Sequence, residues 1–278
     1  MQDAFAYCAE LVRAADRDRY LATLFAPATH RGALFALYAF ANELARVREL
    51  AREPLPGEIR LQWWSEVLGG ERDGEASANP VASALLQILA RYRLDAAVLI
   101  DVIEAHRFDL YDDPMRTITD LEDYAIRTSS ALIALAANIL CGIEVDEAAK
   151  RAGIAYAIAA VARAFPLHAS RGQLYVPLEV LERHGVQASE VFAGRSSHGL
   201  NAALGELRDL ARNHLAAAQQ PLSAFPSDGL SAFLPVAVVG PSLRRLDRCD
   251  AFSPAEIPPW RRQWLIWRAA RNPARIAR

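Results

Sequence analysis

The chain has 278 residues, 53% of them apolar and 23% charged, with 31 basic side chains against 33 acidic ones and a formal net charge of −2. This composition excludes a disordered tail, a collagen-like fibre and a small disulfide scaffold, and a near-neutral total leaves no global basic footprint for a nucleic-acid partner. Cys8, Cys141 and Cys249 stand far apart with no CxxC pair, which argues against a zinc site and a disulfide framework and for small apolar fillers in a reducing compartment. Lys150 is the only lysine, so the basic residues are almost all arginine.

Apolar residues recur at spacings of three and four almost throughout, and period-2 alternation is scarce, so the predicted fold is all-α. In chain order, helices are predicted over about 3–15, 17–26, 29–50, 57–69, 79–93, 95–111, 119–141, 146–165, 177–184, 197–220, 229–247 and 258–271. Pro54 and Pro56, Gly69 and Gly70, Asn79-Pro80, Asp113-Pro114, Pro226 and Pro254 fall between periodic segments. Thr119-Asp120-Leu121-Glu122 is predicted to form a capping box. Ser130–Cys141 and Ala152–Ala162 are apolar on nearly every side, which places them in the middle of a bundle. No repeat or low-complexity linker divides the chain, and the expectation is one domain over 1–278.

Residues Met1 to Glu10 hold acids and no basic-then-apolar pattern, so neither a signal peptide nor an Arg-rich transit peptide is read there. The longest apolar run, Ala152–Ala162, is about half of the roughly 20 residues that span a bilayer, so no transmembrane helix is expected. These features predict a cytoplasmic protein, soluble or peripheral at the inner membrane. No Gly-rich phosphate loop, HExxH or GxSxG is present, and the six histidines do not pair at ligand spacing. Asp112-Asp113-Pro114 reads first as a solvated turn and second as a metal site.

The segments Arg19-Tyr20-Leu21-Ala22-Thr23-Leu24-Phe25-Ala26-Pro27 and Gly32-Ala33-Leu34-Phe35-Ala36-Leu37-Tyr38-Ala39-Phe40 closely resemble the squalene/phytoene synthase family. The resemblance continues through Leu61-Gln62-Trp63-Trp64, Arg107-Phe108-Asp109-Leu110, Tyr124 with Thr128-Ser129-Ser130, and Gly172-Gln173-Leu174-Tyr175-Val176-Pro177. It implies the all-α isoprenoid-synthase fold, a large helical bundle around a central cavity. Active members condense two prenyl diphosphates head to head, with Mg²⁺ neutralising the leaving diphosphate and aspartates on two facing helices holding the ions.

The family's Asp-Asp-x-x-Asp motif corresponds here to Ala45-Arg46-Val47-Arg48-Glu49, and the two aspartates of its Asp-x-x-x-Asp motif correspond to Ala164 and His168. Pro166 is expected to break or kink the second helix. Arg46, Arg48, Arg163 and Arg171 lie in or beside these positions, and clustered cations repel Mg²⁺. The departures, with Arg163–Arg171 running on to Pro177 and His184-Gly185-Val186, resemble the mitochondrial complex I assembly factors of the same superfamily. The absence of a transit peptide points to a bacterial relative.

The resemblance therefore implies a protein that assists assembly of respiratory complex I through a complex I subunit or assembly intermediate, with no cofactor. The charge inversion at the motifs implies a prenyl or other anionic lipid as ligand. Tyr38, Asn42, Arg46, Gln62, Arg163, His168, Arg171 and Tyr175 are its candidate contacts. The alternative is a divergent prenyltransferase, which would need Mg²⁺ and Glu43, Glu49, Asp109 and Tyr124 as replacement groups. Each residue also has a structural role open to it. Glu43, Arg46 and Glu49 could form a salt-bridge ladder, Asp109 and Tyr124 a hydrogen-bonded pair, and His168 a satisfied interior histidine, while Trp63 and Trp64 read as core packing.

In the predicted 258–271 helix, Trp260, Trp264 and Trp267 follow helical spacing beside Arg261, Arg262, Arg268 and Arg271. That pattern fits a membrane surface or partner, or a last helix that docks its tryptophans and leaves its arginines in water.

Overall fold

The computed structural model describes residues 3–51, 53–143, 147–253 and 255–278, so the predicted turn residue Pro254 and the first position of the predicted 146–165 helix lie outside the described residues. The helices are α1 (Ala4–Ala15), α2 (Arg17–Thr23), α3 (Ala28–Ala45), α4 (Val47–Leu50), α5 (Pro54–Leu68), α6 (Asp73–Ala78), α7 (Pro80–Tyr92), α8 (Ala96–His106) and α9 (Ile118–Ala125). They continue as α10 (Ala131–Cys141), α11 (Glu147–Ser170), α12 (Leu178–Arg183), α13 (Ala188–Phe192), α14 (His198–Ala217), α15 (Gln219–Ser223), α16 (Val239–Leu246) and α17 (Pro259–Arg271). Among the described residues there is no strand, as the spacing of the apolar residues requires.

Polar caps fix several starts: Asp3 accepts from the Phe5 N–H, Asn79 from Val81 and Ala82, Asp95 from Ala97, and Ser197 from Leu200. The predicted capping box moves by two residues. Thr117, in an extended conformation, accepts from the Asp120 N–H at 3.1 Å, and the Asp120 carboxylate accepts from the Thr117 N–H at 2.9 Å. Thr119 already lies inside the first turn, so it cannot serve as the cap.

The predicted helix over 29–50 is interrupted at Arg46, whose φ of −92° and ψ of −4° end α3 before α4 restarts. The predicted helix over 119–141 contains a π-helical turn at Ile126–Ser130, and that over 229–247 divides into a 3-10 run, Ser227–Val238, and α16. Pro166 does not break α11, which runs on to Ser170. Phe165 and Ala169 on either side of it are buried, and the Phe165 ring lies 5.3 Å from that of Phe252. This packing outweighs the roughly 3 kcal/mol that an interior proline costs. Helix α11 ends instead at Gly172, whose φ of +74° suits only glycine without strain.

The chain divides into two compact units, one drawn from Met1–Tyr111, Ala131–Asp146 and Phe225–Pro235, the other from Asp112–Ser130, Glu147–Ala224 and Val236–Arg278. In the first unit α3 is the central helix, packed on α1, α7 and α10, and every residue from Ala33 to Asn42 is buried. Cys8 of α1 is fully enclosed, and burial, with the Asp3 carboxylate adding to it, pushes its thiol up to about 12. The folded state thus holds this proton where the unfolded chain releases it above about pH 9, so stability should fall as pH rises from there. A thiol reagent at pH 8 is expected to leave Cys8 untouched until denaturant is added; rapid labelling of Cys8 in the native protein would contradict the enclosure.

In the second unit α11 runs along α14 and lies against the π-helical turn. Gly153 sits directly beneath Ser130, whose hydroxyl donates to the Lys150 carbonyl at 3.0 Å. The 24-residue stretches Ile118–Cys141 and Glu147–Ser170 are, by length and composition, apolar enough to cross a bilayer, which the shorter run Ala152–Ala162 alone does not suggest. More than half of each apolar window is buried within the protein, as for core helices.

Candidate functional site

In the first unit the stretch Ala45-Arg46-Val47-Arg48-Glu49 covers the end of α3 and the single turn of α4. Ala45, Arg46 and Glu49 are exposed and Val47 is buried. The Arg48 guanidinium donates to the Leu110 carbonyl at 2.7 Å, tying α4 to the 3-10 turn Arg107–Leu110 that carries Asp109. Asp109 is held by His106, Nδ1 to Oδ2 at 2.7 Å, with both side chains mostly buried. Among the described residues Glu43 and Arg46 form no ion pair, so the break at Arg46 leaves the expected ladder unformed between them.

Tyr38 is buried, with the Arg19 guanidinium 5.3 Å from its ring centroid. One turn on, the Asn42 side-chain nitrogen is buried with no acceptor among the described residues. A buried amide left this way costs about 1–3 kcal/mol, which a ligand oxygen would recover.

Gln62 is exposed on α5. It donates to Glu66 at 3.1 Å and accepts from Arg107 at 3.4 Å, and Arg107 also binds Glu58 and, at 2.8 Å, Glu104. This places Gln62 in a surface polar network. Trp64 packs edge-on against Phe40, with centroids 5.0 Å apart, as expected of a core residue. Trp63 is half-buried and its indole N–H donates to Glu75 at 2.8 Å. The two indoles, with Glu43, Val47, Ile59, Arg60 and Asn79, line a cleft of about 320 Å³.

In the second unit three predicted residues come together. The Tyr175 ring, buried, lies 4.5 Å from that of His168 and 5.9 Å from that of Tyr124. The segment holding Tyr175 is fixed by backbone hydrogen bonds from Met115 to Leu174 at 3.1 Å and from Leu178 to Met115 at 3.0 Å. The Thr128 hydroxyl donates to the Tyr124 carbonyl at 2.6 Å, so the π-helical turn holds Tyr124 from below. Arg163 is half-buried on α11, and Arg171 is exposed in the turn just past its end. No group of three or more His, Cys, Asp or Glu side chains able to hold a metal lies among the described residues. On α17, Trp260, Trp264 and Trp267 are exposed while Ile266 and Ala269 are buried, so the tryptophans are not what docks this helix.

Arg48 and His106 carry much of this geometry, and no sequence motif marks either as a binding residue. The His106 and Asp109 spacing of three was the available signal for one of them; the backbone acceptor of Arg48 leaves none in the sequence.

A family model for squalene/phytoene synthase matches residues 12–268. The chain belongs to the squalene/phytoene synthase family. Its relatives include "NADH dehydrogenase (ubiquinone) complex I, assembly factor 6" of Homo sapiens, 31% identical over 247 residues that cover 88% of this chain and 74% of that one. The 15-cis-phytoene synthase of Synechococcus elongatus is 26% identical over 246 residues, 82% of this chain and 78% of that one. A solved dehydrosqualene synthase in complex with ligand matches with a TM-score of 0.84 at 19% identity, over 96% of this chain and 95% of that one. The squalene/phytoene synthase fold, all-α and of the isoprenoid-synthase type, is thus the fold the sequence resemblance implied.

Proposed function

We propose that this protein assists assembly of respiratory complex I, acting on a complex I subunit or assembly intermediate from a peripheral position at the inner membrane, and that it does not condense prenyl diphosphates. The observation that carries the reading is the 31% identity over 88% of the chain to a complex I assembly factor. The residues at the two motif positions support it, because they do not fit a magnesium site. Of the positions that hold aspartates in the active members, Ala45 and Ala164 have no side-chain donor atom and Arg46 carries a cation, which leaves one group able to ligate at each motif, Glu49 and His168. The role is one of binding. The unsatisfied Asn42 amide, with Arg46 exposed one turn on at the end of the same helix, suits the phosphate oxygens of a prenyl diphosphate or another anionic lipid.

Loss of the protein from its host should lower NADH:ubiquinone activity, restored by the wild-type chain. Incubation with radiolabelled farnesyl or geranylgeranyl diphosphate and Mg²⁺ should give no product, and the same diphosphates without Mg²⁺ should raise the melting temperature. The second reading, a divergent prenyltransferase, draws on Arg48, which ties the turn carrying Glu49 to the turn carrying Asp109. Product that forms with Mg²⁺ and disappears in Glu49→Gln would overturn the assembly-only role.

A further inference from the structure

We propose that the outward face of α17 is a docking surface for an anionic phospholipid bilayer. This deepens the peripheral location proposed above and rests on it. Trp260, Trp264 and Trp267 recur at steps of four and three, which places them on one face, and they are 68%, 45% and 44% exposed.

The helix is anchored from the opposite side. Ile266, Ala269 and Ile276 are fully buried, and the Gln219 amide donates to the Ala277 carbonyl at 2.8 Å. Gly240 has no side chain, and a Cβ there would meet the Arg278 backbone. The tryptophan face is therefore presented by a fixed helix.

Guanidinium groups are stacked on the same face. The Arg268 Cζ lies 4.2 Å from the Trp264 ring centroid and the Arg271 Cζ 4.9 Å from that of Trp267. From Ile257 to Arg278 there are six arginines and no acidic residue, so all 33 acidic side chains of the chain lie upstream, against 25 of the 31 basic ones. The positive charge is concentrated where the indoles are exposed. Indole rings settle at the boundary between headgroups and acyl chains, and guanidinium groups bind phosphate oxygens in a fork. A bilayer with anionic headgroups meets both demands at once and needs no matching contour, which is why a lipid surface fits this ridge of rings and cations better than an acidic protein groove.

The test is flotation of the full chain with vesicles of phosphatidylcholine alone and of phosphatidylcholine mixed with phosphatidylglycerol, read together with the tryptophan emission maximum. Wild type should float with the anionic vesicles, shift its emission to the blue, and detach at high salt. Trp264→Ser/Trp267→Ser and, separately, Arg268→Gln/Arg271→Gln should each weaken binding by about tenfold or more, with the circular dichroism of the wild type retained. Failure of the wild-type chain to float would overturn the docking surface, and the complementation assay for complex I would still judge the assembly role separately. Flotation undiminished in both variants would overturn α17 as the surface while leaving the peripheral location standing. Binding of both variants to a complex I intermediate with wild-type strength is expected; loss of that binding without any effect on flotation would assign the face to a protein instead.

Discussion

Replacing Gly153 with alanine is expected to lower the unfolding free energy by about 3 kcal/mol and the melting temperature by about 6–10 °C. Alanine raises helix propensity by about 1 kcal/mol over glycine, so on an open helix the same change would stabilise. Here the new methyl group would run into the Cα and N of Ser130 as well as its hydroxyl. Backbone cannot swing aside as a side chain can, so the steric term wins. Ser130→Ala in the same chain should therefore rescue little. The strain falls on the π-helical turn that follows Tyr124. Thermal unfolding of Gly153→Ala that matches or exceeds wild type would show that α11 can move away from the turn.

Phe40→Ala is expected to cost about 4 kcal/mol. The ring is fully buried on α3 and stands edge-on to Trp64, which in turn stands edge-on to Trp63 with centroids 5.0 Å apart. Removing it deletes one member of a row of three aromatic rings that ends at the cleft beside Glu43 and Arg60. The effect should register in denaturant midpoints and as a red shift of tryptophan emission, because Trp64 loses the ring that shields it. A loss below about 1 kcal/mol would mean that Trp64 moves in to fill the space.

The helical class and most element positions are legible in the sequence because they rest on local rules. Asp3, Asn79, Asp95 and Ser197 cap helices that begin where their polar side chains stand. What periodicity does not report is interruption without a breaker residue. Arg46 and Ile126–Ser130 contain neither proline nor glycine, yet α3 stops at one and the π-helical turn occupies the other. Pro166 errs in the opposite sense, because buried neighbours hold its helix together. At the site, the family resemblance located Tyr124, His168 and Tyr175, and these rings do meet. It also pointed to Gln62, which lies in a surface network because the Arg107 and Glu58 pairing is a matter of tertiary placement. Spacing likewise put the α17 tryptophans on one face but could not say which face is buried; Ile266 and Ala269 decide that.

The interleaving of the two units bears on how the polypeptide is made. The first unit borrows Ala131–Asp146 and Phe225–Pro235, and the second reaches back to Asp112–Ser130 and forward to Arg278. A nascent chain emerging from the ribosome therefore cannot complete the first unit until residue 235 is out, nor the second until residue 278 is out. Until then the apolar α10 and α11 lack part of their final surroundings and leave apolar surface uncovered during synthesis. A stop codon or a cut at any unit boundary would strand helices on the wrong side of it, so neither unit is a fragment that can be expressed by truncation.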